Sequence, residues 1–193
     1  MKVYHFLGKA PLYTNCFLLI GENGNAIAID PSAKLEQYTQ MLEKHNAVLQ
    51  YIVLTHGHYD HVDTLHALKK QTGAKVLMAQ GDAMQFKLHA DDFLQDGATV
   101  EADDIKLQVI ATPGHTPGCV CLWSKEESLL FTGDTLFNGD VGRTDLPGGN
   151  YDTLMASLKK LCNTVTGNPQ VLPGHESFSD MDTQRSQNPY LRF

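Results

Sequence analysis

A mixed α/β domain is predicted from three features of the sequence. Short apolar stretches of strand length are bounded by Gly, Pro and Asn. Other stretches place apolar residues every three to four positions, as a helix with one buried face requires. The same mixture recurs on both sides of residue 99, so each half has sheet faces to bury; packing two sheets together with helices outside is one economical arrangement. With 193 residues, 42% of them hydrophobic, the chain can build one sizeable core, and no linker or repeat divides it. Residues 1–193 are therefore read as a single domain.

The first strands are Val3 to Phe6, Thr14 to Ile20 and Ala26 to Ile29, the last two joined across the turn-forming Gly21-Glu22-Asn23-Gly24-Asn25. A helix is expected from Ala33 to about His45, with Leu35, Tyr38 and Leu42 on one face, and then an apolar strand from Tyr51 to Leu54. A second helix is expected to begin near Asp60 and stop before Gly73, followed by a strand at Lys75 to Met78 and a short helical piece around Gly81 to Leu88. Strands return at Ile105 to Ile110, Cys119 to Trp123 and Leu129 to Phe131. Asn150 or Asp152 can cap a helix carrying Leu154, Leu158 and Leu161, and Gln170 to Leu172 is a last short strand.

Composition narrows the function. Formal net charge is −7 with the two signs intermixed, so general nucleic-acid binding would work against long-range repulsion. No apolar run approaches the roughly 20 residues that cross a bilayer, and the N-terminus lacks the apolar core and cleavage site of a secretory signal. Cys16, Cys119, Cys121 and Cys162 show no CxxC spacing and read as buried free thiols, which suit a reducing cytoplasm. The sequence is silent on oligomeric state.

The chemistry-bearing residues begin with Thr55-His56-Gly57-His58-Tyr59-Asp60-His61, which follows an apolar strand directly. Neither a strand nor a helix brings positions 56, 58, 60 and 61 to one point, so this segment must curl, and Gly57 eases the curl. Three further donors sit beside glycine at strand ends: His115 after Pro113-Gly114, Asp134 after Gly133, and His175 after Pro173-Gly174. Five histidines and two carboxylates suit zinc, and also iron or manganese. Seven donors exceed the needs of one four-coordinate ion. Two ions about 3.5 to 4 Å apart would use them all. His5, His45, His66 and His89 have no such setting.

On these residues the chain resembles the metallo-β-lactamase superfamily, from the strand before His56 to the strand before His175. The resemblance implies a four-layer αββα sandwich with its site at one edge between the sheets. It also implies that His56, His58 and His115 hold one metal, that Asp60, His61 and His175 hold the other, and that Asp134 bridges them. Within the superfamily, His115-Thr116-Pro117-Gly118 and Gly133-Asp134-Thr135-Leu136-Phe137 look like the glyoxalase II branch, the hydroxyacylglutathione hydrolases. Gly142-Arg143-Thr144-Asp145 resembles its short bacterial members. Arg143 falls where those enzymes place a basic residue that contacts the glutathione part of the substrate; a structural pairing with Asp140 or Asp145 is the other reading.

Several positions depart from the branch. Its tyrosine two residues after the basic residue is Asp145 here, its glycine pair downstream of His61 is Asp63 and Thr64, and Glu176 follows His175 where glycine is common. The chain also ends soon after His175, without the helical C-terminal domain of full-length members.

The resemblance implies hydrolysis of a small-molecule thioester, with Asp60 orienting the nucleophile while binding its metal. The rival is an iron-dependent persulfide dioxygenase, which shares the Gly-Arg-Thr-Asp stretch and uses residues matching His56, His115 and Asp134. A flavodiiron-like oxidoreductase usually carries glutamate at the position of His58, and a non-catalytic metal-binding module is the remaining alternative.

Overall fold

The computed structural model describes residues 1–193 and consists of two six-stranded sheets. The first sheet runs β1 (Lys2–Leu7), β2 (Asn15–Ile20), β3 (Asn25–Ile29), β4 (Val48–Val53), β5 (Lys75–Met78) and β6 (Asp92–Phe93), in that spatial order. The second runs β12 (Ser179–Asp180), β11 (Gln170–Pro173), β10 (Leu129–Gly133), β9 (Val120–Ser124), β8 (Ile105–Ala111) and β7 (Thr99–Ala102). Helices α1 (Leu35–Lys44), α2 (Leu65–Thr72) and α3 (Gln80–Phe86) accompany the first sheet; α4 (Tyr151–Thr164) and α5 (Met181–Gln187) accompany the second.

Strand alternation sorts the side chains into layers. In β2, Phe17 and Leu19 enter the cluster between the sheets, where they join Val53, Leu107, Leu122 and Phe131. Cys16, Leu18 and Ile20 point the other way, against Tyr38 of α1 and Leu65 and Leu68 of α2. Both faces of β2 are thus covered, and all six of its residues are buried. A third cluster packs Ile110, Cys121, Trp123, Leu130 and Val171 under Leu154, Leu158 and Leu161 of α4. The result is the expected helix, sheet, sheet, helix layering.

Asn150 caps α4, its side chain accepting from the Thr153 N–H at 2.9 Å. Cys16, Cys119 and Cys121 are buried free thiols; Cys162 is half-buried rather than buried. The largest boundary difference from the sequence expectation lies at the second helix. The helix expected near Asp60 begins at Leu65 instead, and Tyr59–His61 forms a separate 3-10 turn. Thr64 separates the two, because its N–H donates to Pro31 O (3.0 Å) and its hydroxyl to Ala33 O (2.6 Å), which ties the chain to the end of β3. Strands β6 and β12 have two residues each, too few to show a period. Helix α5 buries only Met181 and Gln184, so it lacks the apolar stripe that announces a helix.

Candidate metal centre

The curl after β4 is the 3-10 turn: His61 N–H donates to His58 O at 3.0 Å, which turns Asp60 and His61 back toward His56. Gly57 is required for room rather than for backbone freedom. Its φ is not positive, but a Cβ there would collide with the Phe86 ring of α3.

The other donors arrive from strand ends of the second sheet. His115 follows β8 through Gly114 (φ 141°), Asp134 follows the last residue of β10, Gly133 (φ 48°), and His175 follows β11 through Gly174. The ends of β10 and β11 are joined where Gly174 N–H donates to Gly133 O (2.8 Å), and the first sheet is tied in where Asn15 N–H donates to Gly174 O (2.7 Å). A Cβ at Gly174 would collide with Asp134 Oδ1 and stand 2.6 Å from His61 Cε1. Glu176, where the resemblance leads to an expectation of glycine, has φ 68°, in the left-handed region that favours glycine.

The seven predicted residues converge. His56, His58 and His115 form one group whose donor atoms lie within 4.8 Å of one another, and Asp60, His61 and His175 form another. Asp134 stands between them: Oδ2 is 3.9 Å from His56 Nε2, 3.6 Å from His115 Nε2 and 3.6 Å from His175 Nε2, while Oδ1 is 3.3 Å from His61 Nε2.

Outer partners dictate which ring nitrogen faces the centre. His115 Nδ1–H donates to Arg143 O (2.7 Å), His175 Nδ1–H to Leu12 O (3.1 Å) and His61 Nδ1–H to Asp30 Oδ2 (2.9 Å), all acceptors. Thr55 Oγ–H is spent on Asp30 Oδ2, so the Thr55 Oγ accepts from His56 Nδ1–H at 3.2 Å. Each of these four imidazoles, when neutral, therefore turns the lone pair of Nε2 inward. The Nε2 atoms of His61 and His175 are only 3.3 Å apart, which is repulsive unless a proton or a cation lies between them. His56 Nε2 and Asp134 Oδ1 are buried without any hydrogen-bond partner. Inward lone pairs, orphaned buried polar atoms and no room at Gly174 together fit divalent cations.

The electrostatics differ between the two groups. Burial holds His56 well below the ordinary imidazole pKa and lowers His58, keeping both as neutral donors at pH 7. Burial also opposes ionisation of Asp134, but His61, His56 and His175 outweigh it and hold its carboxyl far below the ordinary range. At His61 burial is likewise overcome, here by Asp134 and Asp30, and the pKa is raised well above the usual value.

Two carboxylates escaped the sequence reading. Asp30 accepts from Thr55 N–H, Thr55 Oγ–H and His61 Nδ1–H, so it orients His61 directly and His56 through Thr55. Its signal was present: Asp30 follows the apolar run of β3, as the other donors follow theirs. Asp82 is buried inside α3 and had no sequence signal at all. Arg143 is exposed, and its Nε–H and Nη2–H both donate to Asp145 at 2.7 Å, while its carbonyl serves His115. Asp140 instead accepts from the Val141 N–H.

The sequence profile of the metallo-beta-lactamase superfamily matches residues 10–175. A hydroxyacylglutathione hydrolase of Haemophilus influenzae is 32% identical over 92% of each chain. The mitochondrial persulfide dioxygenase of Bos taurus is 32% identical over 88% of this chain and 68% of its own. Among solved structures, TTHA1623 in a di-iron-bound form superposes with a TM-score of 0.83 at 29% identity, covering 97% of this chain and 100% of that one. No helix is long and apolar enough to cross a membrane.

Proposed function

The chain belongs to the metallo-beta-lactamase superfamily, and from that premise we propose that it is a metal-dependent hydrolase of thioesters, taking an S-acylglutathione or a related small-thiol ester. The observation that carries the reading is the convergence of two donor groups on Asp134. His56, His58 and His115 would hold one divalent ion, Asp60, His61 and His175 a second, and Asp134 would contact both. Zinc is the first expectation for this donor set, with iron or manganese next. When bound, such ions supply Lewis acidity and lower the pKa of water from 15.7 to about 7.

The remaining work falls to the chain. Burial raises the Asp60 carboxyl, but the His175 hydrogen bond and nearby His61 outweigh it, so its pKa stays below the ordinary value and the group is an acceptor at neutral pH. Thr14 Oγ–H donates to Asp60 Oδ2 at 3.2 Å and fixes that carboxylate, which suits it to hold an attacking water in line with an acyl carbon. A thiol of pKa about 8.5 leaves as its anion without a strong general acid. Arg143 is assigned to an anionic part of the substrate at the mouth of the site.

A second reading rests on the dioxygenase relative and on one geometric fact. His56 Nε2 and His115 Nε2 both face Asp134 Oδ2, at 3.9 and 3.6 Å, a two-histidine, one-carboxylate arrangement of the kind that holds iron for oxygen chemistry. Metal analysis with thiol release from S-lactoylglutathione, measured with and without oxygen, separates the two. The hydrolase is expected to carry two ions per chain and to release thiol independently of oxygen. A single iron, with oxygen uptake on glutathione persulfide and no thioester turnover, overturns the proposal.

A further inference from the structure

Helix α3 contributes no metal donor, yet it joins two of the donor-bearing loops. Asp82, wholly buried in that helix, accepts three hydrogen bonds. Its Oδ2 takes Gly57 N–H and Thr116 Oγ–H, each at 2.8 Å, and its Oδ1 takes Gly118 N–H at 2.6 Å. Gly57 lies between His56 and His58, and Thr116 follows His115. One carboxylate therefore spans the gap between the loop after β4 and the loop after β8.

The packing around that span leaves little slack. A Cβ at Gly118 would stand 2.6 Å from Asp82 N, and one at Gly81 would stand 3.3 Å from the Pro117 carbonyl. Phe86, one turn further along α3, meets the His58 ring edge-on with centroids 5.1 Å apart. Nothing from α3 bonds to the other group. Asp60, His61 and His175 have Thr14, Asp30 and Leu12 as their outer partners.

We infer that Asp82 is a positioning residue for His56, His58 and His115: by bonding both loops it sets their separation, and with it the affinity of one ion site and not the other. The inference rests on the two-group assignment of donors proposed above and is independent of the thioester chemistry. Asn at this position keeps the size of the side chain but turns one acceptor oxygen into a donor amide, so either the Gly57 and Thr116 bonds or the Gly118 bond are lost. Outer-shell substitutions of this kind change metal affinity by about 10- to 100-fold.

The test titrates the metal-free wild type, Asp82→Asn and Thr116→Val with cobalt(II), reading bound metal by equilibrium dialysis and ligand-field absorbance. Each variant is expected to keep one ion at wild-type affinity and to hold the other about 10- to 100-fold more weakly. Adding His175→Ala to Asp82→Asn should weaken the remaining tight ion, whereas adding His58→Ala should leave it in place. Equal weakening of both ions overturns the inference. So does unchanged binding accompanied only by a lower melting temperature, the mark of a purely structural role. Should Asp82→Asn fail to fold, Thr116→Val decides alone, since it removes only the Thr116 hydroxyl's bonds to Asp82 and Cys119 and leaves Asp82 in place. A chain that binds both ions but leaves thioesters intact defeats the proposed activity and not this inference.

Discussion

The N-terminal sheet brings four donors to the centre from one loop after β4, whereas the C-terminal sheet brings three, each from the end of a different strand. His56, His58, Asp60 and His61 are held near one another by covalent continuity, and one 3-10 turn completes their arrangement. His115, Asp134 and His175 share no such tether. Strand β9 lies between β8 and β10, and the parallel pairing of β10 with β11 slips its register between Phe131 and Gly133, just before the donor. The second half must therefore rely on backbone bonds between loop ends, such as Gly174 N–H to Gly133 O, and on the absence of side chains where those ends meet. A loop of clustered donors is organised locally; strand-end donors are organised by the packing of whole sheets, and they should be the more sensitive to small steric changes.

The largest expected effect tests the one residue in which the two routes meet. Asp134→Ala removes the carboxylate that stands between both groups, so both ions should be lost or nearly lost, with activity falling by more than the ~100-fold upper end for outer-shell changes. His175→Ala should weaken mainly one site. Metal analysis of the purified variants checks this, and full retention of both ions in Asp134→Ala would remove the bridging assignment.

A smaller effect compares the two halves directly. Gly174→Ala pushes a methyl group against Asp134, His61 and the Gly133 backbone, whereas the nearest atoms that Gly57→Ala meets belong to the Phe86 side chain. Overpacking of a rigid backbone costs about 1–3 kcal/mol, and less where a ring can yield. Gly174→Ala should lower the melting temperature of the metal-free protein more than Gly57→Ala and should disturb both ions. Equal losses would show that the loop is as tightly constrained as the strand ends.

The smallest effect lies outside both routes. Arg143 and Asp145 form an exposed pair, which adds little to stability. Arg143→Ala should therefore leave the melting temperature unchanged while raising KM for S-lactoylglutathione by about tenfold, the loss of one ionic contact, with kcat largely intact. An unchanged KM with a lowered melting temperature would assign Arg143 to holding the loop instead.

The sequence by itself determined the mixed α/β character and where the strands fall, because β2, β4, β8 and β10 carry apolar runs that only a covered sheet can bury. It also named all seven residues that converge, since four are consecutive enough to be conspicuous and three repeat the pattern of an apolar run ending in glycine and a donor. Tertiary structure alone decided the rest. Which nitrogen of His61, His175 and His115 faces inward depends on Asp30, Leu12 and Arg143, which lie far from those histidines in sequence. The break between the turn at Tyr59–His61 and helix α2 was set by Pro31 and Ala33 rather than by local propensity. Asp82 was illegible for the same reason: hydrogen bonding is short-ranged and directional, so the partner of a buried carboxylate is settled only when sheets and helices have closed around it.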